Sequence, residues 1–373
     1  MTSDFSPSPL FERVERARRR ARKFKDTHIT LAHGSGGKAM RELVEGLFLE
    51  YLGNSILEPL EDHAVLNFTP AGNDPSSPLR LAFTTDSYVV DPIFFPGGDI
   101  GRLAVCGTVN DLAVGGARPL YLSAGFILEE GLPVEDLRRV LASMRDAARE
   151  AGVSVVTGDT KVVERGSADR IFINTSGVGV IVAPVSLSAT NARAGDKIIL
   201  SGTLGDHGTT VMVARGELEL ETEIESDAAP LGSLVREMLD EAARLGALDT
   251  IRCLRDPTRG GAATTLNEIA LASDVCIQLE EERLPVREEV RGACEILGLD
   301  PLYVANEGKL VAVVSPHIAE PLVARMRENL YGRDACVIGE VKAEPRGIVA
   351  MRTGFGGTRI VDVLVGEQLP RIC

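Results

Sequence analysis

Tryptophan is absent from the 373 residues, and aromatic side chains together make up only 4% of them. Stacking platforms for nucleic-acid bases are therefore not expected. No apolar run is long enough to span a bilayer. The six cysteines (Cys106, Cys253, Cys276, Cys294, Cys336 and Cys373) form no CxxC pair and show no metal-ligand spacing, which argues against a zinc site or a disulfide framework. Cys106, Cys276 and Cys336 sit among Val, Ala and Ile and read as small buried hydrophobes. Positive charge is in deficit, with a net charge of −14, so neither nucleic acid nor an anionic membrane is the expected partner. What remains, 44% hydrophobic and 25% charged residues, is an ordinary globular composition long enough for two domains, at home in a reducing cytoplasm.

Residues 1–27 stand apart. Ser-Pro repeats lead into a basic run from Arg13 to Lys25, in which Phe11, Val14, Ala17, Ala21 and Phe24 recur at helical spacing. Asp26-Thr27-His28 follows where an export signal would need an apolar segment, so the arm reads as a solvated extension. Next, His33-Gly34-Ser35-Gly36-Gly37-Lys38 feeds a helix whose apolar face runs from Met40 to Tyr51. A glycine-rich turn at a helix start offers N–H groups to an anion, with Lys38 adding charge. Three further stretches each present an aspartate among Thr, Asn or Gly. A strand from Leu79 to Thr84 delivers Thr85-Asp86-Ser87, a helix capped by Asp99 presents Asn110-Asp111, and a strand from Val153 to Thr157 delivers Gly158-Asp159-Thr160-Lys161. Oxygen-rich sites of this kind suit Mg²⁺ together with nucleotide phosphates.

A helix from Pro133 to Ala151 and a strand from Ile171 to Ile181 complete the first half, and Asn191–Asp196 reads as a linker. The second half opens on Ser201-Gly202-Thr203-Leu204-Gly205-Asp206-His207-Gly208. It later carries Arg255-Asp256-Pro257-Thr258-Arg259-Gly260-Gly261 at a helix start, then Ala305-Asn306-Glu307-Gly308-Lys309 before a strand. Alternating strands and helices in both halves predict an α/β or α+β architecture. The last side chain is a thiol, Cys373, within Pro370-Arg371-Ile372-Cys373. Its own α-carboxylate disfavours the thiolate and Arg371 offsets this only in part, so a pocket elsewhere is expected to activate it.

Taken together, Leu31–Gly37, Phe94-Phe95-Pro96-Gly97-Gly98, Gly158–Val163, Asn306–Lys309 and the terminal Pro370–Cys373 resemble the HypE family of hydrogenase maturation proteins, the carbamoyl dehydratases. More distantly, the chain is similar to the aminoimidazole ribonucleotide synthetase and selenophosphate synthetase superfamily. The resemblance runs from about His28 to Cys373, and the basic arm lies outside it. It implies two α+β domains (an α/β sandwich), at 28–184 and 185–362, with the first pairing into the β-barrel of a homodimer. It also implies ATP held between the domains and a mobile tail, 363–373. Cys373 is then expected to take a carbamoyl group from the carbamoyltransferase HypF. ATP-driven dehydration would yield a thiocyanate, whose cyanide passes to iron on a HypC–HypD complex.

Expelling oxygen from a thiocarbamate requires turning it into phosphate, and phosphoryl transfer needs positioning and charge neutralisation above all. On this reading Asp86, Asp111 and Asp159 hold Mg²⁺ with help from Asn110. Lys161, Lys38 and the N–H groups around Ser35, Gly36 and Gly37 meet the phosphates, with Thr85, Gly158 and Thr160 beside them. Thr258, Arg259, Gly260 and Gly261 approach from the second domain. Glu307 is the candidate base; Asn306, His207 and Asp256 are further candidates for the same site. Two other readings compete. A selenophosphate-synthetase-like kinase would place its reactive Cys beside the first glycine loop, and His33–Lys38 contains none. A non-catalytic adaptor would have no need of clustered aspartates.

Overall fold

The computed structural model describes residues 24–68, 79–216, 223–364 and 371–373. Residues 1–23, with all of the basic run up to Lys23, and the middle of the tail, 365–370, lie outside the described residues.

The first half is built on a five-stranded sheet. Its strands are β1 (Ala64–Phe68), β2 (Leu79–Tyr88), β5 (Ala117–Glu129), β6 (Ser154–Val163) and β7 (Ile171–Ile181), in the order β1-β2-β7-β5-β6. Only β5 and β6 run parallel; the other pairs are antiparallel. A small ribbon, β3 (Phe94–Phe95) with β4 (Gly98–Asp99), leads into helix α1 (Ile100–Val114). Asp99 caps α1 by accepting from the amides of Gly101 and Arg102 at 2.7 and 3.0 Å. The helix lies on the sheet so closely that a Cβ at Gly177 of β7 would come within 2.9 Å of Leu112 and Thr108. Helix α2 (Val134–Ala151) buries Val140, Met144, Ala147 and Ala148 and ends on left-handed Gly152.

The period of two along β2 matters for the site. Ala82, Thr84 and Tyr88 are buried beneath α1, whereas Phe83, Thr85 and Ser87 look out of the opposite face. Asp86 shares the inner face. Read from the sequence as residues delivered beyond strand ends, Thr85–Ser87 and Gly158–Lys161 instead lie within β2 and β6. Polar residues extend these strands because the outer face of the sheet is uncovered in the single chain.

The second half carries a seven-stranded sheet of β8 (Lys197–Leu200), β9 (Ile251–Arg255), β10 (Cys276–Glu280), β11 (Val311–Val314), β12 (Cys336–Lys342), β13 (Ile348–Arg352) and β14 (Thr358–Val361). Its order is β14-β13-β10-β12-β8-β11-β9, with β10 and β13 parallel. Between the strands come α3 (Asp206–Ala214), α4 (Gly232–Arg244), α5 (Gly261–Ala272), α6 (Glu288–Leu297) and α7 (Pro316–Glu328). Val311 and Val313 of β11 join one core with Leu266 and Ile269 of α5. The alternate residues Ala312 and Val314 join a second with Met238 of α4 and Leu322 of α7. That second core continues into Leu112, Val114 and Ile181 of the first half, so the two sheets are tied by shared apolar burial rather than a loose hinge. The expected mixed α+β organisation is observed; both sheets are open in the single chain.

Candidate active site

The site forms where β2 and α1 of the first half meet the turns of the second half and the last three residues. From α1, Asn110 donates to the carbonyls of Ala229 and Glu307 at 3.0 and 3.2 Å and accepts from the Leu231 amide at 2.8 Å. Both N–H groups of Asn110 are spent on this brace, which fixes the loop that carries Glu307. Asn306 is spent likewise: it accepts from the Gly205 amide at 2.8 Å and donates to Pro257 and Val304 carbonyls at 2.9 and 3.1 Å.

Glu307 is 3% exposed, and its Oε1 lacks a hydrogen-bond partner. Burial first, then Asp86, Asp227 and Asp256, hold its carboxyl well above the usual carboxylate range. The Cys373 thiol faces this carboxylate, and each group shifts the other. Burial, then Glu307, push the thiol well above its ordinary value, with Asp86 adding to the effect and Arg259 opposing it. The docked pocket therefore keeps the sulfur protonated. The expectation that it would activate the thiol is corrected: a carboxylate-lined, desolvated pocket disfavours a second anion.

Arg259 Nη2 lies 3.7 Å from Asp86 Oδ1 and bridges the two halves over the thiol. Asp111 accepts from Thr84 Oγ1 at 2.8 Å, and burial together with Asp256, Asp86 and Asp62 raises its carboxyl well above the usual range. Burial also lifts Asp256 to about 6, with Arg255 opposing and Asp86 adding. Among the described residues no three His, Cys, Asp or Glu side chains converge in a metal-binding group. The mutual repulsion of Asp86, Asp111 and Asp256 nevertheless marks a site short of positive charge, and all-oxygen donors suit a hard divalent cation.

The two glycine turns interlock. A Cβ at Gly36 (φ 75°) would meet the Arg259 carbonyl oxygen at 2.5 Å, and one at Gly260 (φ 79°) would come within 3.0 Å of the Gly36 oxygen. The Lys38 amide is taken by the Leu364 carbonyl at 2.9 Å, which stitches the root of the tail to the first turn. Gly37 is pinned there too, since its Cβ would lie 2.5 Å from the same oxygen. Gly34, Ser35, Ser87, Arg259, Gly260, Tyr303 and Cys373 line one cavity of about 220 Å³, so the first glycine turn, the guanidinium and the thiol face a common space. Thr258 and Gly261 belong to the same turn, joined by a 2.9 Å bond from the Gly261 amide to the Thr258 carbonyl.

Other candidates stand elsewhere. Thr85 projects from the outer face and bonds Ser176 at 2.9 Å. Gly158, Asp159, Thr160 and Lys161 lie on edge strand β6, where Lys161 donates to Asp159 at 2.7 Å. β6 is separated from β2 by β7 and β5, a span of about 14 Å at the usual strand spacing, so one chain does not bring Asp159 to Asp86. His207 lies against the tail rather than the carboxylates, its Nε2 2.8 Å from the Ile372 carbonyl oxygen. Sequence reading did not find Asp62, Arg215 or Asp227, which belong to no glycine-rich turn and meet the site only through tertiary packing, nor Tyr88, which follows Asp86 on β2.

Two sheets braced around this cleft define a two-domain protein of the AIR synthase type. Residues 60–181 match the family AIR synthase related protein, N-terminal domain, and residues 193–352 match AIR synthase related protein, C-terminal domain. The chain is 56% identical over 351 residues to "Carbamoyl dehydratase HypE" of Rhodobacter capsulatus, covering 94% of this chain and 99% of that one. Its fold is similar to that in "Crystal structure of HypE-HypF complex", with TM-score 0.78 and 49% identity over 86% of this chain and 99% of that one. It is also similar to a hydrogenase maturation protein HypE in complex with ATP, with TM-score 0.74 and 51% identity over 93% and 100% of the two chains. The chain belongs to the HypE family of carbamoyl dehydratases.

Proposed function

We propose that this chain performs the ATP-dependent dehydration of a carbamoyl group carried on Cys373, giving a thiocyanate that supplies cyanide for a hydrogenase iron centre. The observation that carries this reading is the placement of the Cys373 thiol against Glu307, beside Arg259 and the glycine-lined cavity. The carbamoyl oxygen attacks the γ-phosphorus of ATP, ADP leaves, and one N–H proton is lost, giving an O-phosphoryl thioimidate, S–C(=NH)–O–phosphate, on Cys373. Loss of the remaining N–H proton to Glu307 then expels phosphate and leaves S–C≡N. Glu307 suits this step because a carboxyl held high is a stronger base than an ordinary one. Arg259 would neutralise charge on the transferred group, a role its guanidinium's place on the cavity wall beside Asp86 supports.

Mg²⁺ would supply charge neutralisation for the phosphates. Asp86, Asp111 and Asp256 would hold it, relieving the repulsion that raises Asp111 and Asp256. We place Asp159 and Lys161 in the site of a homodimer. Edge strand β6 exposes Val155, Val156 and Val162 by 44%, 60% and 68%, and the same sheet exposes Phe83 and Tyr121, an apolar surface that pairing into a barrel would cover. The tail, 363–373, is proposed to visit a HypF-type donor, this cleft and a HypC–HypD-type acceptor in a cytoplasmic setting. The test is Glu307→Gln: the variant should accept the carbamoyl group and hold it intact, at least about a hundredfold slower in dehydration. Dehydration at the normal rate would reject the base.

A further inference from the structure

Two motifs have no part in the chemistry above: Phe94–Gly98 and the Gly205–Gly208 turn. They converge on the tail. His207 is fully buried, with the Phe95 ring edge-on to it at 5.5 Å. Its Nδ1 lies 2.8 Å from Ser226 Oγ, and its Nε2 lies 2.8 Å from the Ile372 carbonyl oxygen. That carbonyl only accepts, so Nε2 carries the proton and Nδ1 accepts from Ser226, whose Oγ in turn accepts from the Ala228 amide at 3.2 Å. Ser226 is itself held by its amide on the Pro96 carbonyl at 3.0 Å. Gly97 (φ 81°) permits this approach, since a Cβ there would lie 2.8 Å from the Ser226 nitrogen.

A second arm meets the preceding carbonyl. Arg215 donates Nε to the Asp91 carbonyl and Nη2 to the Arg371 carbonyl, both at 2.7 Å, and the Asp91 amide reaches the same Arg371 oxygen at 3.3 Å. Arg371 sits at φ 51°, a left-handed conformation that is unfavourable for a residue with a Cβ and is held here by its surroundings. The Ile372 side chain is 4% exposed and joins the core of Tyr88, Val90, Phe95 and Val211.

We propose that His207 and Arg215 are positioning residues that grip the tail by the two peptide carbonyls preceding Cys373, and that the Phe94–Gly98 turn serves to fix His207 for that grip. Because His207 and Arg215 take only backbone carbonyls and leave the sulfur to Glu307 and Arg259, the grip accepts the tail whatever group the sulfur carries. It therefore serves for the bare thiol, the carbamoyl form and the thiocyanate alike. Choice among cargoes falls to Glu307 and Arg259. The inference rests on Cys373 being the carrier, but its test needs no carbamoyl chemistry.

In the full chain, Cys373 is alkylated with iodoacetamide and its rate read by mass spectrometry of the C-terminal peptide. His207→Leu and, separately, Arg215→Lys should each speed alkylation at least about tenfold, the factor for one lost buried hydrogen bond. His207→Gln, which keeps an N–H donor, should restore part of the protection, and ATP binding should be unchanged in all three. In single turnover the first two variants should dehydrate a carbamoylated tail more slowly. Equal alkylation rates in wild type and Arg215→Lys, or a wild-type rate equal to that of the unfolded chain, would overturn the grip. Normal protection shifts with no carbamoyl ever accepted at Cys373 would leave the grip standing and reject the carrier.

Discussion

At the scale of single residues, the chemistry turns on one carboxyl and one sulfur whose protonation the pocket sets in the same direction. Burial raises both Glu307 and Cys373. The thiol in this pocket is therefore held neutral beside a base, and on the proposed function thiolate attack on a carbamoyl donor falls to the tail outside it. Dehydration should rise with pH through the raised value of Glu307, because only the deprotonated form takes a proton. A pre-carbamoylated chain followed in single turnover checks this, and a rate that falls or stays flat over that interval counts against it. Asp256 gives a stability prediction. Its folded value, about 6, lies above the ordinary one, so this group's contribution to stability is whole below about pH 4 and is lost as pH rises through 6. At pH 8 and without nucleotide, Asp256→Asn should be more stable than wild type by on the order of 3 kcal/mol, with the difference gone at pH 4. Denaturant unfolding at the two pH values measures it. The same variant should lose most of the added stability that Mg²⁺ and ATP give the wild type.

At the scale of elements, glycine turns act here as close-packing surfaces as well as anion cradles. Gly36 and Gly260 lie against each other's turns, each with positive φ. Gly36→Ala adds a Cβ 2.5 Å from a backbone oxygen in a left-handed conformation and should cost about 1–3 kcal/mol. Its ATP affinity should fall with the seating of Arg259, as thermal unfolding and nucleotide titration would report. Much at this scale was legible: the strands Ile171–Ile181 and Lys197–Leu200 and the helix ending at Gly152 stand where periodicity and caps put them. What was not legible was where a strand stops. Thr-Thr-Asp-Ser and Gly-Asp-Thr-Lys are turn-like in composition, yet a sheet with one uncovered face lets polar residues alternate through it. Thr85 and Asp86, adjacent in sequence, therefore point to opposite faces. The bracing role of Asn110 was not legible for a related reason: its amide satisfies carbonyls more than a hundred residues away, which no local pattern announces.

At the scale of the whole molecule, the second core runs from Leu112 into Met238 and Leu322, so the cleft walls are held together by shared apolar burial. The exposed valines of β6 point to association through that edge. For the proposed homodimer, Val156→Lys with Val162→Lys should shift the protein to monomer in analytical ultracentrifugation and cut ATP turnover, since Asp159 and Lys161 would lose the site proposed for them. A dimer unchanged by both substitutions would place the interface elsewhere. The central claim, that Cys373 carries one carbon into this cleft to have its oxygen removed, is tested most directly by mass spectrometry of the C-terminal peptide. The chain is incubated with carbamoyl phosphate, a HypF-type donor and ATP. The account predicts carbamoyl addition at Cys373 followed by loss of one water only when the chain has its own ATP supply. Carbamoyl addition at a different cysteine, or loss of water that does not depend on ATP, would contradict it.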